Sequence, residues 1–235
     1  MPSRWVHEHR FPDREALVAA LAGEIKVDLE EAIAARGAAS LVVSGGKTPA
    51  RLFERLHDEK IDWPRTWVTL VDERWVETTS EDSNERLVRE HLLVGPAAAA
   101  HFVGLKNPAV TPEAGADWVT RALTRVPHPF DVVVLGMGQD GHTASLFPGS
   151  MALARGLDPA APPACIAVNA LAAPHARVSL NLAALLDSRR IVLHIEGDAK
   201  WAVYQRARTP GAPAELPIRA VLQQKEVPVD VYWSP

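Results

Sequence analysis

Strand-length apolar runs alternate with helix-length amphipathic stretches along almost the whole chain, and that order leaves few architectures open. Residues 13–36 carry Leu17, Leu21, Ile25, Leu29 and Ile33 four apart and end at Gly37, which predicts a long amphipathic helix. Residues 40–43 and 67–71 predict strands, followed respectively by helices over 50–57 and 86–93, the latter behind an Asp82/Glu85 pair with capping-box-like spacing. Further strands are predicted over 101–105, 131–135, 165–169, 176–180, 191–196 and 229–233. Thr111-Pro112 opens a helix running to about Arg125, and others are predicted near 182–187, over 198–208 and over 217–224. The alternation implies an α/β fold: a mainly parallel, Rossmann-like sheet flanked by helices on both faces. No repeat or linker interrupts it, and the Ala/Pro stretches at 95–100 and 158–164 read as loops, so residues 1–235 are expected to form a single domain.

In open sheets of this kind ligands collect beyond the carboxyl ends of the strands. Four marked segments fall at such ends: 44–49, 72–75, 136–142 and 197–200. The third lies within DVVVLGMGQDGHTASLFPG at 131–149. Its strand runs straight into Gly136, Gly138 and Gly141, which let the backbone bend sharply and approach a ligand. Thr143 to Phe147 reads as a helix start soon stopped by Pro148-Gly149, and a strand, a glycine turn and a helix start make a common anion site. Gly136-x-Gly138-x-x-Gly141 also matches the dinucleotide fingerprint. That fingerprint expects an acid about 20 residues on, at a strand end, whereas the acid here, Asp158, sits in a Pro/Ala-rich loop. A lone histidine is more often structural. Inside a glycine turn beside Asp140, His142 is a candidate for acid–base work.

Ser44-Gly45-Gly46-Lys47-Thr48-Pro49 joins a strand to a helix and can serve either as a plain turn or as a phosphate cradle. Its glycines free backbone N–H groups to face an anion, and the Thr48 hydroxyl adds a donor. Arg74 at a strand end, Arg177 opening a strand and Lys200 in the first turn of a helix each have an ordinary surface role open to them. Three cations at separate element ends would also suit one phosphate or carboxylate. His7 and His9 alternate on one strand face with no third ligand nearby, and His194 has the pattern of a structural strand residue. No CxxC or HExxH spacing occurs, so no metal is expected.

Composition sets the outer bounds. The net charge of −4 argues against a general nucleic-acid binder but leaves room for a small anionic ligand. The one cysteine, Cys165, lies in the apolar run ACIAV and is expected in the core. No run reaches the length of a membrane span, and the N-terminus lacks a signal peptide's apolar region, so a cytoplasmic protein with no membrane partner is expected. No apolar surface helix is left over, which favours a monomer.

Together the segments VSGGKTP (43–49), VDERWV (71–76), DSNERLV (82–88), LGMGQDGHTASLFPG (135–149), RVSL (177–180) and EGDAKW (196–201) resemble the 6-phosphogluconolactonases of the sugar-phosphate isomerase superfamily. DGHTASLFPG is the specific part; RVSL and the Lys200 position are weak by themselves. The resemblance implies hydrolysis of 6-phosphoglucono-δ-lactone to 6-phosphogluconate in the oxidative pentose phosphate route, with no cofactor. It implies that His142 activates water, that Asp140 sets its environment, and that Gly45, Gly46, Thr48, Arg74, Arg177 and Lys200 line the sugar-phosphate site. Arg177 and Lys200 would take the phosphate and Arg74 the reacting end. The related glucosamine-6-phosphate deaminases are similar in fold, in an Asp at the Asp72 position and in the DGH turn. They carry an essential Glu where this chain has Phe147. A non-catalytic sugar-phosphate sensor would keep the cations and have no need of His142.

Overall fold

In the computed structural model, which describes residues 5–46, 48–169 and 174–235, Asp13 caps the first helix by accepting a hydrogen bond from the Ala16 N–H at 2.8 Å. This helix, α1 (Arg14–Arg36), buries Leu17, Leu21, Ile25, Leu29 and Ile33. It closes at Gly37, whose φ of 82° suits glycine and whose N–H returns to the Ile33 carbonyl at 2.8 Å. The chain then enters β2 (Ala39–Val43), all five residues of which are buried, and α2 (Pro49–His57).

Seven parallel strands form the main sheet, in the order β1 (Val6–Arg10), β10 (Val229–Ser234), β9 (Ile191–Glu196), β6 (Val132–Leu135), β2, β3 (Thr66–Leu70) and β5 (His101–Val103). β6 is apolar throughout, and β2 is apolar but for Ser40, because helices cover both faces. From β2 the chain winds outward through α2 to β3; from β6 it winds the opposite way, to β9 and through α7 (Asp198–Ala207) to β10. Right-handed crossovers therefore set α2 and α7 on opposite faces. The reversal opens a crevice between the carboxyl ends of β2 and β6, the place where such sheets hold ligands.

A second sheet departs from the sequence expectation. β4 (Asp72–Arg74), β8 (Arg177–Leu180) and β7 (Cys165–Val168) pair antiparallel, in that order. The connection from Asn169 to Ala176 is shorter than the roughly dozen residues a parallel crossover requires, so these two strands fold back on each other. Cys165 is buried as expected, and burial pushes its thiol pKa up.

Two local expectations are corrected. Helix α3 (Asn84–His91) is capped by Ser83, which accepts from the Arg86 N–H at 3.2 Å; Asp82 instead faces His175, and Glu85 pairs with Arg89. No helix starts at Thr143. Thr143 and Leu146 form an isolated bridge around Ala144, which has φ 48°. The Thr143 hydroxyl donates to the Gly136 carbonyl at 2.9 Å, while Ser145 is held by Ser179 and Asp72. These ties turn the segment back on itself. The other predicted elements match to within a few residues at their ends. Among the described residues, no helix is long and apolar enough to cross a membrane.

Candidate active site

The crevice between β2 and β6 is a cleft of about 250 Å³. Ser44 joins its two walls: its hydroxyl donates to the Val134 carbonyl at 3.0 Å and accepts from the Gly136 N–H at 3.1 Å. Gly45 and Gly46 follow, the second with φ 100°. A Cβ on Gly45 would meet Asn84 Oδ1 at 1.8 Å, so only glycine lets this turn lie against α3. Thr48 stands at the head of α2 without capping it, leaving its hydroxyl available at the cleft. Lys47 lies outside the described residues.

Across the cleft, the β6 turn closes through Gly138 N–H to the His142 carbonyl (2.9 Å) and Gly141 N–H to the Gly138 carbonyl (3.0 Å), with Gly141 at φ 77°. It carries a dyad. Asp140 Oδ1 lies 2.6 Å from His142 Nδ1 and also accepts from the His142 N–H at 3.1 Å. A carboxylate beside Nδ1 fixes the tautomer with the proton there, so Nε2 keeps its lone pair. The Phe147 ring packs on the imidazole, with centroids 4.2 Å apart, and fixes its plane. The side chain is 30% exposed at the cleft, enough for water to reach it.

Gly138 is the floor of the dyad. A Cβ there would fall 2.2 Å from His142 Nδ1 and 2.5 Å from Asp140 Oδ1. Gly138→Ala should therefore push the imidazole aside and lower kcat by on the order of 10²-fold, the usual effect of misplacing a catalytic group by about 1 Å. Steady-state rates on a folded variant check this, and parental turnover would show that the dyad has slack.

Among the described residues three cations line the same cleft. Arg74 and Arg177 are register partners across β4 and β8. Arg74 donates to the Asp82 carbonyl at 2.7 Å; Arg177 lies 3.7 Å from Asp72 Oδ2, over the Phe147 ring. Among the described residues both keep a buried Nε without a partner. Burial, and then Arg74, lower the Arg177 pKa, while Asp72 works against them. Burial likewise lowers Lys200, at the head of α7, while Glu196 works to raise it. Asp72 and Glu196 offset part of this charge, and an anion entering the cleft would be attracted by all three cations. All the residues that the resemblance placed in the site thus line the cleft except Asp140, which sits behind His142.

The family model for glucosamine-6-phosphate isomerases and 6-phosphogluconolactonase matches residues 12–233. The chain belongs to this family. A 6-phosphogluconolactonase of Rhizobium meliloti (strain 1021) is 45% identical over 227 residues, covering 97% of this chain and 98% of the relative. One of Mesorhizobium japonicum is 47% identical over 225 residues, 96% and 94% of the two chains. The crystal structure of a 6-phosphogluconolactonase from Shewanella baltica OS155 superposes with a TM-score of 0.96 at 49% identity, over 100% of both chains.

In this member of the family the polar side chains of Asp72, Asn84 and His194 line the cleft without having been singled out as site residues from sequence. Asp72 and Asn84 lie beneath the cradle: Asp72 accepts from the Ser145 hydroxyl at 2.5 Å, and Asn84 donates to the Asp72 carbonyl at 2.9 Å. His194, read as a structural strand residue, lines the cleft as well. The β4–β8 pairing, invisible to periodicity, brings Asp72 in, and hydrogen bonds between α3 and β4 bring Asn84; position near the end of β9 was the available signal for His194.

Proposed function

We propose that this chain hydrolyses 6-phospho-D-glucono-1,5-lactone to 6-phospho-D-gluconate in the oxidative pentose phosphate route, with His142 as general base. The observation that carries the reading is the His142–Asp140 dyad at the switch point of the sheet, inside a cleft lined by Arg74, Arg177 and Lys200. A δ-lactone is an activated ester, so water suffices as nucleophile. Nε2 of His142 takes a proton from water as its oxygen attacks C1. The resulting oxyanion is stabilised by nearby donors, with Arg74 assigned to that end. The intermediate collapses with cleavage of the bond from C1 to the ring oxygen. The imidazolium returns its proton to that oxygen, which leaves as the C5 hydroxyl. Asp140 stabilises the imidazolium in between. No step calls for a cofactor or a metal.

Arg177 and Lys200 are assigned to the phosphate, with Gly45, Gly46 and Thr48 lining the sugar. A hydrogen bond to a charged group contributes about 1.5–3 kcal/mol. Arg177→Ala or Lys200→Ala should therefore weaken capture by about tenfold to more than a hundredfold, read as KM and as 6-phosphogluconate affinity. Unchanged affinity would make the residue structural. The alternative deaminase chemistry needs a carboxylate where Phe147 packs, buried, against His142. The deciding experiment follows acid release from fresh lactone above its spontaneous opening, beside ammonia release from glucosamine 6-phosphate. The first should be fast and the second absent; the reverse would overturn the reading.

The reading includes action as a monomer in the cytoplasm by one domain spanning residues 1–235. The large apolar side chains exposed among the described residues, Val27, Val110, Trp118 and Met151, come from separate segments. A solution mass of about twice the 25.5 kDa of one chain would overturn the monomer.

A further inference from the structure

His194 lies on β9, only 2% exposed, and among the described residues neither ring nitrogen has a hydrogen-bond partner. Nε2 is 3.3 Å from Glu196 Oε1 without the alignment of a hydrogen bond, and that oxygen is unpartnered too. The other oxygen of Glu196 is anchored by Arg14 Nε at 2.6 Å. The ring thus touches a fixed carboxylate and also lines the cleft beside Lys200. α7 starts in the same place, at Gly197, with no side chain capping its first N–H groups.

A buried imidazole with Nδ1 unpaired and Nε2 poorly aligned on a carboxylate costs stability, and a leucine in a core strand would avoid that cost. Polar groups kept unpaired at a cleft point to a ligand. We propose that His194 is a substrate-binding residue that, with Lys200 and the head of α7, forms the pocket for the phosphate group. The inference rests on the sugar-phosphate reading above and adds a residue to that site.

The geometry also sets the protonation of the complex. With Glu196 on the Nε2 side and a phosphate on the other, the ring bridges two anions, and only the imidazolium has a proton for each. The charged and titratable groups around it are Glu196 on its own strand, Tyr232 beside it on β10, Arg14 from α1 and Lys200 from α7. Across the cleft stand Arg74, Arg177, Asp72 and His142. Burial works to raise the Glu196 pKa, but the His194 and Arg14 contacts hold it below the ordinary value, so the carboxylate behind the ring stays charged.

The test uses the full chain with inorganic phosphate and 6-phosphogluconate as probes. In ¹⁵N-histidine spectra of the parent, with His194 identified by its loss in His194→Gln, both ring nitrogens should move to imidazolium positions when either probe is added. His194→Leu should keep or raise Tm, since it removes unpaired buried atoms. It should bind both probes about tenfold to a hundredfold more weakly, with KM rising more than kcat falls. Unmoved His194 signals in a parent that binds 6-phosphogluconate would overturn the proposal. So would parental affinity in His194→Leu, or a drop in Tm with affinity intact, which marks a structural residue. The parent spectra decide the matter even if the leucine variant does not fold. A parent that does not bind 6-phosphogluconate at all would sink the sugar-phosphate reading first, and this inference with it.

Discussion

His142→Ala should lower turnover of the lactone by about 10²–10⁴-fold, the range a general base contributes, while 6-phosphogluconate affinity changes only a few-fold. The separation follows from the geometry. The imidazole stands on the β6 turn, tied to Asp140 at 2.6 Å and backed by Phe147, whereas the cations assigned to the phosphate come from β8 and α7. Removing the ring takes away the proton acceptor and leaves the anion site intact, so the loss belongs in kcat. Asp140→Asn should cost less, because Nε2 survives and only the orientation and stabilisation of the imidazolium suffer. Spontaneous opening of the lactone sets the floor and must be subtracted. A folded His142→Ala protein with near-parental turnover would refute the mechanism. Asp72 and Glu73 would be the next bases to test, although the described contacts already engage both carboxylates.

The strands of the main sheet, and the placement of the site beyond their carboxyl ends, follow from signals that are local in sequence. Leucines four apart, a β-branched run ending in glycine, and glycine after a helix act over a few residues, and α1, β2 and β6 formed where those signals lay. The small sheet was not legible in that way. β4 is three residues long, shorter than any periodicity, and its pairing with β8 joins positions about a hundred residues apart. For the same reason the contact between Arg74 and Arg177 and the burial of Asp72 could not be read from either segment alone. The misread helix start at Thr143 has a related cause. Thr and Ser are compatible with a helix N-terminus, but here their hydroxyls serve Gly136 and Asp72, from a neighbouring turn and a distant strand. His194 was missed because a polar residue alternating within a strand looks the same whether it meets solvent, core or ligand.

Glu73 should prove to be the buried side chain on which the small sheet and its share of the site depend. It is fully buried on β4, and its carboxylate accepts four hydrogen bonds. Oε1 takes the N–H groups of Arg74 (2.7 Å) and Asn84 (2.8 Å); Oε2 takes the Glu85 N–H (2.7 Å) and the Ser83 hydroxyl (3.0 Å). The Asn84 and Glu85 N–H groups open α3 and have no partner within the helix. A carboxylate from another element therefore caps α3 and binds it to β4, which keeps Asn84 against Gly45. Burial holds the Glu73 pKa above the ordinary carboxylate value, and the four donors offset only part of that rise. Every one of those contacts donates to the carboxylate, the pattern that suits the ionised form. In Glu73→Gln an amide NH₂ replaces one oxygen. The Ser83 hydroxyl can turn to accept from it; the Glu85 N–H cannot, and is left facing a donor. One buried group unsatisfied in this way costs about 1–3 kcal/mol. Glu73→Ala strands all three backbone N–H groups and should cost more, on the order of 3–5 kcal/mol, a large part of the roughly 5–15 kcal/mol that holds a domain folded. Denaturant unfolding at neutral pH measures both. Glutamine as stable as the parent would mean that the carboxyl is protonated in the folded protein, and the account of Glu73 as an acceptor of four bonds would have to be abandoned.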